Sequence, residues 1–185
     1  MSSELQHLFS ADRDERADHP AYGTPEYRLL RARDAERRRR LQDVVESGGL
    51  KEPEDYYHAA WILNHGESLE EIWQAHLLAK EAVKLGVCRA RWLAAATYDR
   101  WLMYQGKPQK YGTQIVPDGK RQRVWDVDPA TSDAERAEQD VPPLAEMERR
   151  AAEVTRKEPM PPMDTAPEWL KAALLRWHTE DDRQA

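Results

Sequence analysis

Residues 54–106, EDYYHAAWILNHGESLEEIWQAHLLAKEAVKLGVCRARWLAAATYDRWLMYQG, contain three segments of periodic apolar residues, each followed by a glycine. Apolar residues that recur every three or four positions predict amphipathic helices, and a glycine after the last turn favours a left-handed C-terminal cap. Ser68 and Glu71 have the spacing of a capping box at the start of the second segment. The predicted helices are 54–65, 69–85 and 89–105, and the glycines that end them are Gly66, Gly86 and Gly106.

The short connections between these helices predict a mainly helical fold. Consecutive amphipathic helices joined by a few residues pack as antiparallel neighbours, and small residues such as Ala59, Ala75 and Ala82 permit close approach. The pattern resembles helical hairpins of the tetratricopeptide or Sel1 type, without their full repeat consensus. We therefore expect an all-α fold in the main, a compact stack of antiparallel helical hairpins with one small β-hairpin.

The segments outside this stretch complete the predicted architecture. Pro117-Asp118-Gly119 lies between two short apolar segments, 114–116 and 123–127, and this arrangement predicts the β-hairpin. Thr24 and Pro25 have the residue types of a helix N-cap and first turn. The other predicted helices are 4–18, 25–47, 131–139 and 144–156.

A length of 185 residues fits one domain with an added C-terminal element. The predicted division is a helical domain over 1–157, a proline-rich linker over 158–166 and an amphipathic helix with a tail over 167–185. Trp169, Ala173 and Trp177 fall on one face of that last helix. This face packs either on the rest of the chain or on a second subunit, so a homo-oligomer formed through the C-terminal helix is an open alternative.

Composition and charge argue against several classes of protein. The longest apolar stretch, 59–63, is too short to cross a bilayer, and no secretion signal opens the sequence, so we expect no membrane association and a cytoplasmic location. The net charge of −6 makes nucleic-acid binding an unfavourable interpretation. Cys88 is the one cysteine, which excludes an intramolecular disulfide framework and a zinc ribbon.

Seven arginines concentrate in the second predicted helix. Four of them are consecutive, so their side chains point around the whole circumference of a helix, and Asp34 and Glu36 dilute their charge. The favoured interpretation is a solvated helix face, and the alternative is contact with an anionic ligand. The arginines are Arg28, Arg31, Arg33 and Arg37 to Arg40.

The histidines of the first central helix suit proton transfer better than metal binding. His58 and His65 lie on one face but about 10 Å apart, too far to share an ion. Asp55 and His58 have an acid-x-x-His spacing, of which dinuclear metal sites in helical bundles use two copies, and only one occurs. We therefore expect neither a metal nor another cofactor, and regard His65 as a candidate acid or base because imidazole titrates near neutral pH.

The densest polar segment follows the third central helix. Tyr98-Asp99-Arg100 lies in its last turns, and the loop 106–114, GKPQKYGTQ, comes after it. Two glycines let this backbone approach a ligand, so the loop is a candidate wall of a binding site. In the alternative interpretation, Asp99 and Arg100 form a structural ion pair that anchors the loop.

Short polar motifs recur in widely separated segments, and their most specific member is Pro108-Gln109-Lys110-Tyr111-Gly112-Thr113-Gln114. The others are Asp12 with Arg16, Asp34, Asn64-His65, Asp99-Arg100, Asp133 with Arg136, and Val141-Pro142-Pro143-Leu144. Together, over about residues 8 to 150, they resemble a large, mainly bacterial family of unknown function whose hallmark is a Pro-Gln-x-Tyr-Gly-Thr-Gln loop. That family more often has Gln-His at the position of Asn64-His65, and Asp-Gln-x-x-Arg at the position of residues 12–16.

The resemblance implies that these separated positions form one site, and it implies no particular reaction. We expect His65 to act as general acid or base, Asp99 as its partner and Arg100 as a third catalytic residue. Arg16 and Arg100 would bind the anionic group of a substrate. The predicted substrate-binding residues are Asp12, Arg16, Gln109, Tyr111, Thr113 and Gln114.

The resulting hypothesis is a small, metal-independent enzyme or enzyme-like protein that binds a polar, anionic small molecule. Its acid-base chemistry would be a hydrolysis, a cyclisation or an isomerisation. The alternative is a non-catalytic protein-interaction module in which the ion pairs only hold the helices together. The two hypotheses differ in whether the named residues line one concave pocket or scatter among separate salt bridges.

Overall fold

The computed structural model describes residues 3–20, 23–164 and 166–184, and within them the fold is mainly helical with one small antiparallel sheet. The predicted fold class is confirmed. The helices are α1 Ser3–Glu15, α2 Pro25–Glu46, α3 Pro53–Leu63, α4 Leu69–Lys84, α5 Ala90–Tyr104, α6 Asp133–Glu138, α7 Leu144–Lys157 and α8 Glu168–Gln184. The strands are β1 Ile115–Pro117 and β2 Gln122–Val124.

Helix α4 lies at the centre of the main stack and packs against both α3 and α5. Its buried face consists of Ile72 and small residues, so the neighbouring helices can approach closely. The predicted capping box is present, because the Ser68 hydroxyl accepts a hydrogen bond from the Glu71 N–H at 3.1 Å and the Glu71 carboxylate accepts one from the Ser68 N–H. The local sequence therefore fixes where this central helix begins.

The three glycines that follow the central helices serve two different purposes. Gly86 and Gly106 have φ values of +97° and +70°, the left-handed conformation that the sequence predicts. Gly66 does not adopt a positive φ. A Cβ at Gly66 would lie 2.7 Å from the Glu71 Cβ and 2.9 Å from the Leu63 carbonyl oxygen. Close packing between the end of α3 and the start of α4 therefore explains this glycine, and the predicted left-handed cap is wrong at this position.

Helices α1 and α2 cover one side of α3. Leu5 and Leu8 from α1 and Leu41 from α2 are fully or nearly fully buried against Ile62 of α3. Burial of a leucine side chain stabilises a fold by about 1.5–3 kcal/mol, so these contacts are strong enough to hold the two helices in place. This packing brings the polar residues of α1 and α2 to the C-terminal end of α3.

The arginine run of α2 is only partly solvated. Arg37 and Arg38 keep only 7% and 8% of their side chains exposed, whereas Arg39 keeps 63%. The interpretation of the run as a solvated face is therefore wrong for Arg37 and Arg38. A run of four residues covers every side of a helix, and here two of its sides face α1 and the start of α4.

The β-hairpin and α8 form the other end of the core. Ile115 pairs with Val124, and the Asp118 carboxylate accepts backbone hydrogen bonds that close the predicted turn. Trp177 of α8 is buried against Trp125, with ring centroids 5.3 Å apart. The apolar stripe of α8 thus packs on the rest of this chain. Thr165, within the predicted linker, and Ala185 lie outside the described residues.

Among the described residues, no helix is both long enough and apolar enough to cross a membrane.

Candidate functional site

Asp12 lies at the centre of the candidate site. It belongs to α1 and is 1% exposed, and its Oδ1 accepts a hydrogen bond from the Trp61 Nε1–H at 2.9 Å. Its Oδ2 lies 2.9 Å from Arg16 Nη1 and 3.3 Å from Arg37 Nε. A buried carboxylate is stable only with such partners, so the arginines of α1 and α2 hold Asp12 in place.

A second buried carboxylate, Asp34 of α2, extends this cluster. The Arg16 Nη2 group lies within hydrogen-bond distance of both of its oxygens, at 3.0 and 2.9 Å, while Nη1 of the same guanidinium contacts Asp12. Arg37 and Arg31 also donate to Asp34, at 2.7 and 2.9 Å. Arg31 donates in addition to the exposed Glu67. The cluster therefore joins α1 and α2 and reaches the surface at Arg31 and Glu67.

His65 lies against this cluster, directly after the end of α3. Its Nε2 is 3.5 Å from the Asp12 Oδ1, is buried, and makes no hydrogen bond within the protein. The side chain as a whole remains 15% exposed. A buried ring nitrogen without a hydrogen-bond partner is uncommon in proteins.

The surroundings of the two side chains raise the pKa of Asp12 and lower the pKa of His65. Burial, opposed by Arg16 and other partners, raises the pKa of Asp12 from 3.8 to about 6. Burial and the positive charges of Arg16 and Arg100 lower the pKa of His65 well below its usual range. At neutral pH His65 is therefore uncharged and Asp12 is largely ionised. A carboxyl group that titrates near pH 6 is well matched to proton transfer.

Arg100 of α5 connects this cluster to the predicted loop. Its guanidinium donates to the Asn64 carbonyl oxygen and, through Nε, to the Gln114 Oε1 at 3.1 Å. The Gln114 amide in turn donates to the Ala96 carbonyl oxygen at 3.0 Å. Arg100 and Gln114 are therefore joined to the residue next to His65, as the single-site hypothesis requires.

Asp99 has a different set of contacts. Its Oδ1 accepts the backbone N–H groups of Lys110 and Tyr111 at 2.8 and 2.9 Å. Its Oδ2 accepts the N–H and the hydroxyl of Thr113 at 3.0 and 2.8 Å. Four short hydrogen bonds occupy this carboxylate, and none involves His65. The geometry thus makes Asp99 the anchor of the loop rather than the residue next to His65.

Gln109 and Tyr111 also shape the loop. The Gln109 side chain is fully buried, donates to the carbonyl oxygens of Gln114 and Trp125, and accepts the Gln114 N–H at 2.8 Å. The Tyr111 carbonyl oxygen accepts a hydrogen bond from Arg136 at 3.0 Å. The Gln109 contacts explain why a glutamine suits this position, because its side chain satisfies buried backbone groups of the loop.

The structure thus divides the predicted site residues into two groups joined by Arg100. Asp12, Arg16 and His65 converge at one end of α3, and Arg100 reaches them from α5. The second group holds the loop and consists of Asp99, Gln109, Thr113 and Gln114. Two surface depressions lie elsewhere, one beside Cys88 and one beside Pro162, and no predicted site residue lines either of them.

Sequence reasoning missed Trp61 and Glu67, and it assigned Arg31 and Arg37 to a helix face that is solvated or contacts an anionic ligand. Asn64 belonged to the motifs of the family resemblance but not to the predicted site. Asp34 was included in the family resemblance but not in the predicted site. Its spacing to Arg37, three residues, is that of adjacent side chains on one helix face, and this signal could have indicated an ion pair. The contact between Trp61 and Asp12 joins residues 49 apart in the sequence and has no local signal.

The Asp55-His58 pair makes no metal site. The Asp55 carboxylate accepts the backbone N–H groups of Lys51 and Glu52 at the start of α3. His58 instead stacks on Phe9, with ring centroids 4.1 Å apart. Within the described residues, no group of three or more histidine, cysteine, aspartate or glutamate side chains has the arrangement of a metal site.

Comparison with known protein families, with curated proteins and with solved structures finds no match for this chain.

Proposed function

We propose that this protein binds a polar, anionic small molecule at His65 and catalyses proton transfer on it. The observation that carries the proposal is the buried, unpartnered Nε2 of His65, which lies 3.5 Å from the Asp12 carboxylate. Asp12 is 1% exposed, whereas the His65 side chain is 15% exposed, although its Nε2 atom is buried. His65 would contact the substrate, and Asp12 would hold or accept the proton.

The surrounding guanidinium groups supply the selectivity for an anion. Arg16, Arg31 and Arg100 all act on the pKa of His65 by their positive charge. An anion bound beside them would offset part of that charge and raise the pKa of His65. Substrate binding would therefore make the imidazole a better proton acceptor at the moment when it is needed. Such proton transfer is common to hydrolysis, cyclisation and isomerisation of anionic molecules.

This proposal gives Asp12 the role that the sequence suggests for Asp99. Asp12 has the short approach to His65 and the raised pKa, whereas Asp99 is occupied by the loop. Arg100 keeps its predicted role beside the anion. Gln114 contributes by fixing the Arg100 guanidinium.

The alternative function, a non-catalytic interaction module, is favoured by the extent of the ion-pair network itself. The network contains Asp12, Asp34 and Arg37, each less than a tenth exposed. In the alternative function, this buried network holds the helices together and has no role in binding or catalysis. In that case, removal of an arginine destabilises the fold and no anion restores it. Under the proposed function, an anion stabilises the native state by mass action.

A thermal-shift screen with carboxylate and phosphate-ester metabolites tests the proposal. A specific compound present at about a hundred times its dissociation constant stabilises the native state by about 2.7 kcal/mol. We expect the response in the wild type and its loss in His65→Ala and Arg31→Met. His58→Ala, at a buried histidine two turns away on the same face of α3 that stacks on Phe9, and Arg39→Ala are controls and should keep it. A panel that stabilises no variant, including the wild type, would favour the interaction module.

A further inference from the structure

Helix α4 has a second apolar face that its own chain leaves exposed. Leu69, Trp73 and Leu77 follow one another at intervals of four residues and are 37%, 36% and 50% exposed. The opposite face, which includes Ile72 and Ala79, is buried between α3 and α5. A surface helix normally has one apolar face, so a second one over the first half of α4 indicates a contact with another surface.

Aromatic rings widen this exposed face. Trp73 packs against Trp101 of α5, with ring centroids 4.7 Å apart, and against His76, at 5.1 Å. The Lys107 ammonium lies 5.7 Å from the centroid of Trp101. None of these three rings belongs to the three buried clusters of the core. Partly exposed tryptophans of this kind are enriched where proteins bind one another.

Two charges on this face, those of Glu70 and Lys84, are placed so that they can pair with each other across a two-fold axis. Glu70 lies seven residues before Leu77, and Lys84 lies seven residues after it. Both charged residues are exposed, and among the described residues Lys84 forms an ion pair with Glu81 of its own helix, at 3.1 Å. Suppose that two such helices pair antiparallel with a two-fold axis at Leu77. A residue that lies a given number of positions before Leu77 in one helix then faces the residue that lies the same number after Leu77 in the other, so each Glu70 faces the partner's Lys84.

We propose that the exposed face of α4 binds the same face of a second copy of this chain, with the two-fold axis at Leu77. Leu77 then packs on its own counterpart, and the two Glu70–Lys84 pairs flank that contact. A helix of 16 residues is about 24 Å long, so the buried area falls at the low end of protein interfaces. The dimer is therefore weak, with a dissociation constant of about 1–100 µM, and independent of the site at His65.

Sedimentation velocity of the full chain over about 1–500 µM tests this inference, because that range brackets the expected dissociation constant. We expect the wild type to pass from monomer to dimer as the concentration rises. Leu77→Lys places two like charges on the axis and should leave only monomer. Leu29→Lys is the matched control, since Leu29 is 59% exposed on α2, and it should dimerise like the wild type.

Exchange of the charged pair tests the geometry more strictly. Glu70→Lys and Lys84→Glu each set like charges opposite one another in a homodimer, so each variant alone should dimerise at least tenfold more weakly. In an equimolar mixture of the two variants, both pairs regain opposite charges, and a heterodimer should form with nearly the wild-type affinity. A wild type that stays monomeric, a Leu77→Lys protein that dimerises normally, or a mixture that recovers no affinity would each overturn the inference.

Discussion

Replacement of Asp99 by alanine distinguishes an anchor of the loop from a catalytic residue. The substitution removes the acceptor of three backbone N–H groups and of the Thr113 hydroxyl. At about 1 kcal/mol for each hydrogen bond, the free energy of unfolding falls by about 4 kcal/mol. The variant no longer has to bury a charged carboxylate, and this gain reduces the net loss to about 3 kcal/mol. Burial indeed raises the pKa of Asp99, which shows that its charge is held at some cost to the fold.

Urea unfolding monitored by tryptophan fluorescence measures this loss, because Trp125 is packed beside the loop. Thr113→Val removes one of the four donors and should cost about 1 kcal/mol. Asp14→Ala, at an exposed position, should leave the free energy of unfolding unchanged within about 0.5 kcal/mol. If Asp99→Ala loses less than about 1 kcal/mol while ligand binding disappears, the assignment of Asp99 as an anchor is refuted.

Three further predictions concern the remaining clusters. In the folded protein the pKa of Asp12 is raised from its ordinary value of 3.8 to about 6, so the folded state binds the proton of Asp12 more tightly than the unfolded state does. The stability that this proton contributes is therefore fully present below about pH 4 and is lost as the pH rises through 6. In the wild type the free energy of unfolding by urea should decline by about 3 kcal/mol over this pH range, and Asp12→Asn should abolish the decline. If the variant shows the same decline as the wild type, the raised pKa of Asp12 is contradicted. Arg37→Ala should lower stability by about 1.5–3 kcal/mol because it removes one of the cationic partners of the buried Asp12 and Asp34, whereas exposed Arg39→Ala should change it by less than about 0.5 kcal/mol. Gly66→Ala should cost about 1–3 kcal/mol in the same assay through overlap with Glu71, and a neutral result would show that the α3–α4 turn relaxes easily.

Local sequence signals predicted the helices and the hairpin well. The capping box at Ser68 and the Pro117-Asp118-Gly119 turn act through neighbours within a few residues, so the sequence carries them directly. Gly66 shows the limit of the same reasoning. Its position after a helix suggests a left-handed cap, but the tertiary contact with Glu71 decides its conformation.

The candidate site could be predicted only in part. The resemblance to a family grouped Asp12, His65 and Arg100, which the fold brings to one end of α3. Which acid accompanies His65 was not predictable, since that depends on how α1 packs against α3. Burial of Arg37 was equally hidden, because a run of arginines gives no sign of which side of the helix faces the core.

The proton affinity of His65 tests the central proposal most directly. NMR titration of its imidazole in the full chain should give a pKa well below 6.5, and that pKa should rise in Arg31→Met. Addition of a metabolite that stabilises the wild type should raise it as well, because a bound anion offsets the arginine charges. His58, whose pKa is also lowered by burial, serves as the internal control and should respond to neither change. A His65 that titrates near 6.5 and ignores both the anion and the loss of Arg31 would contradict the proposed site.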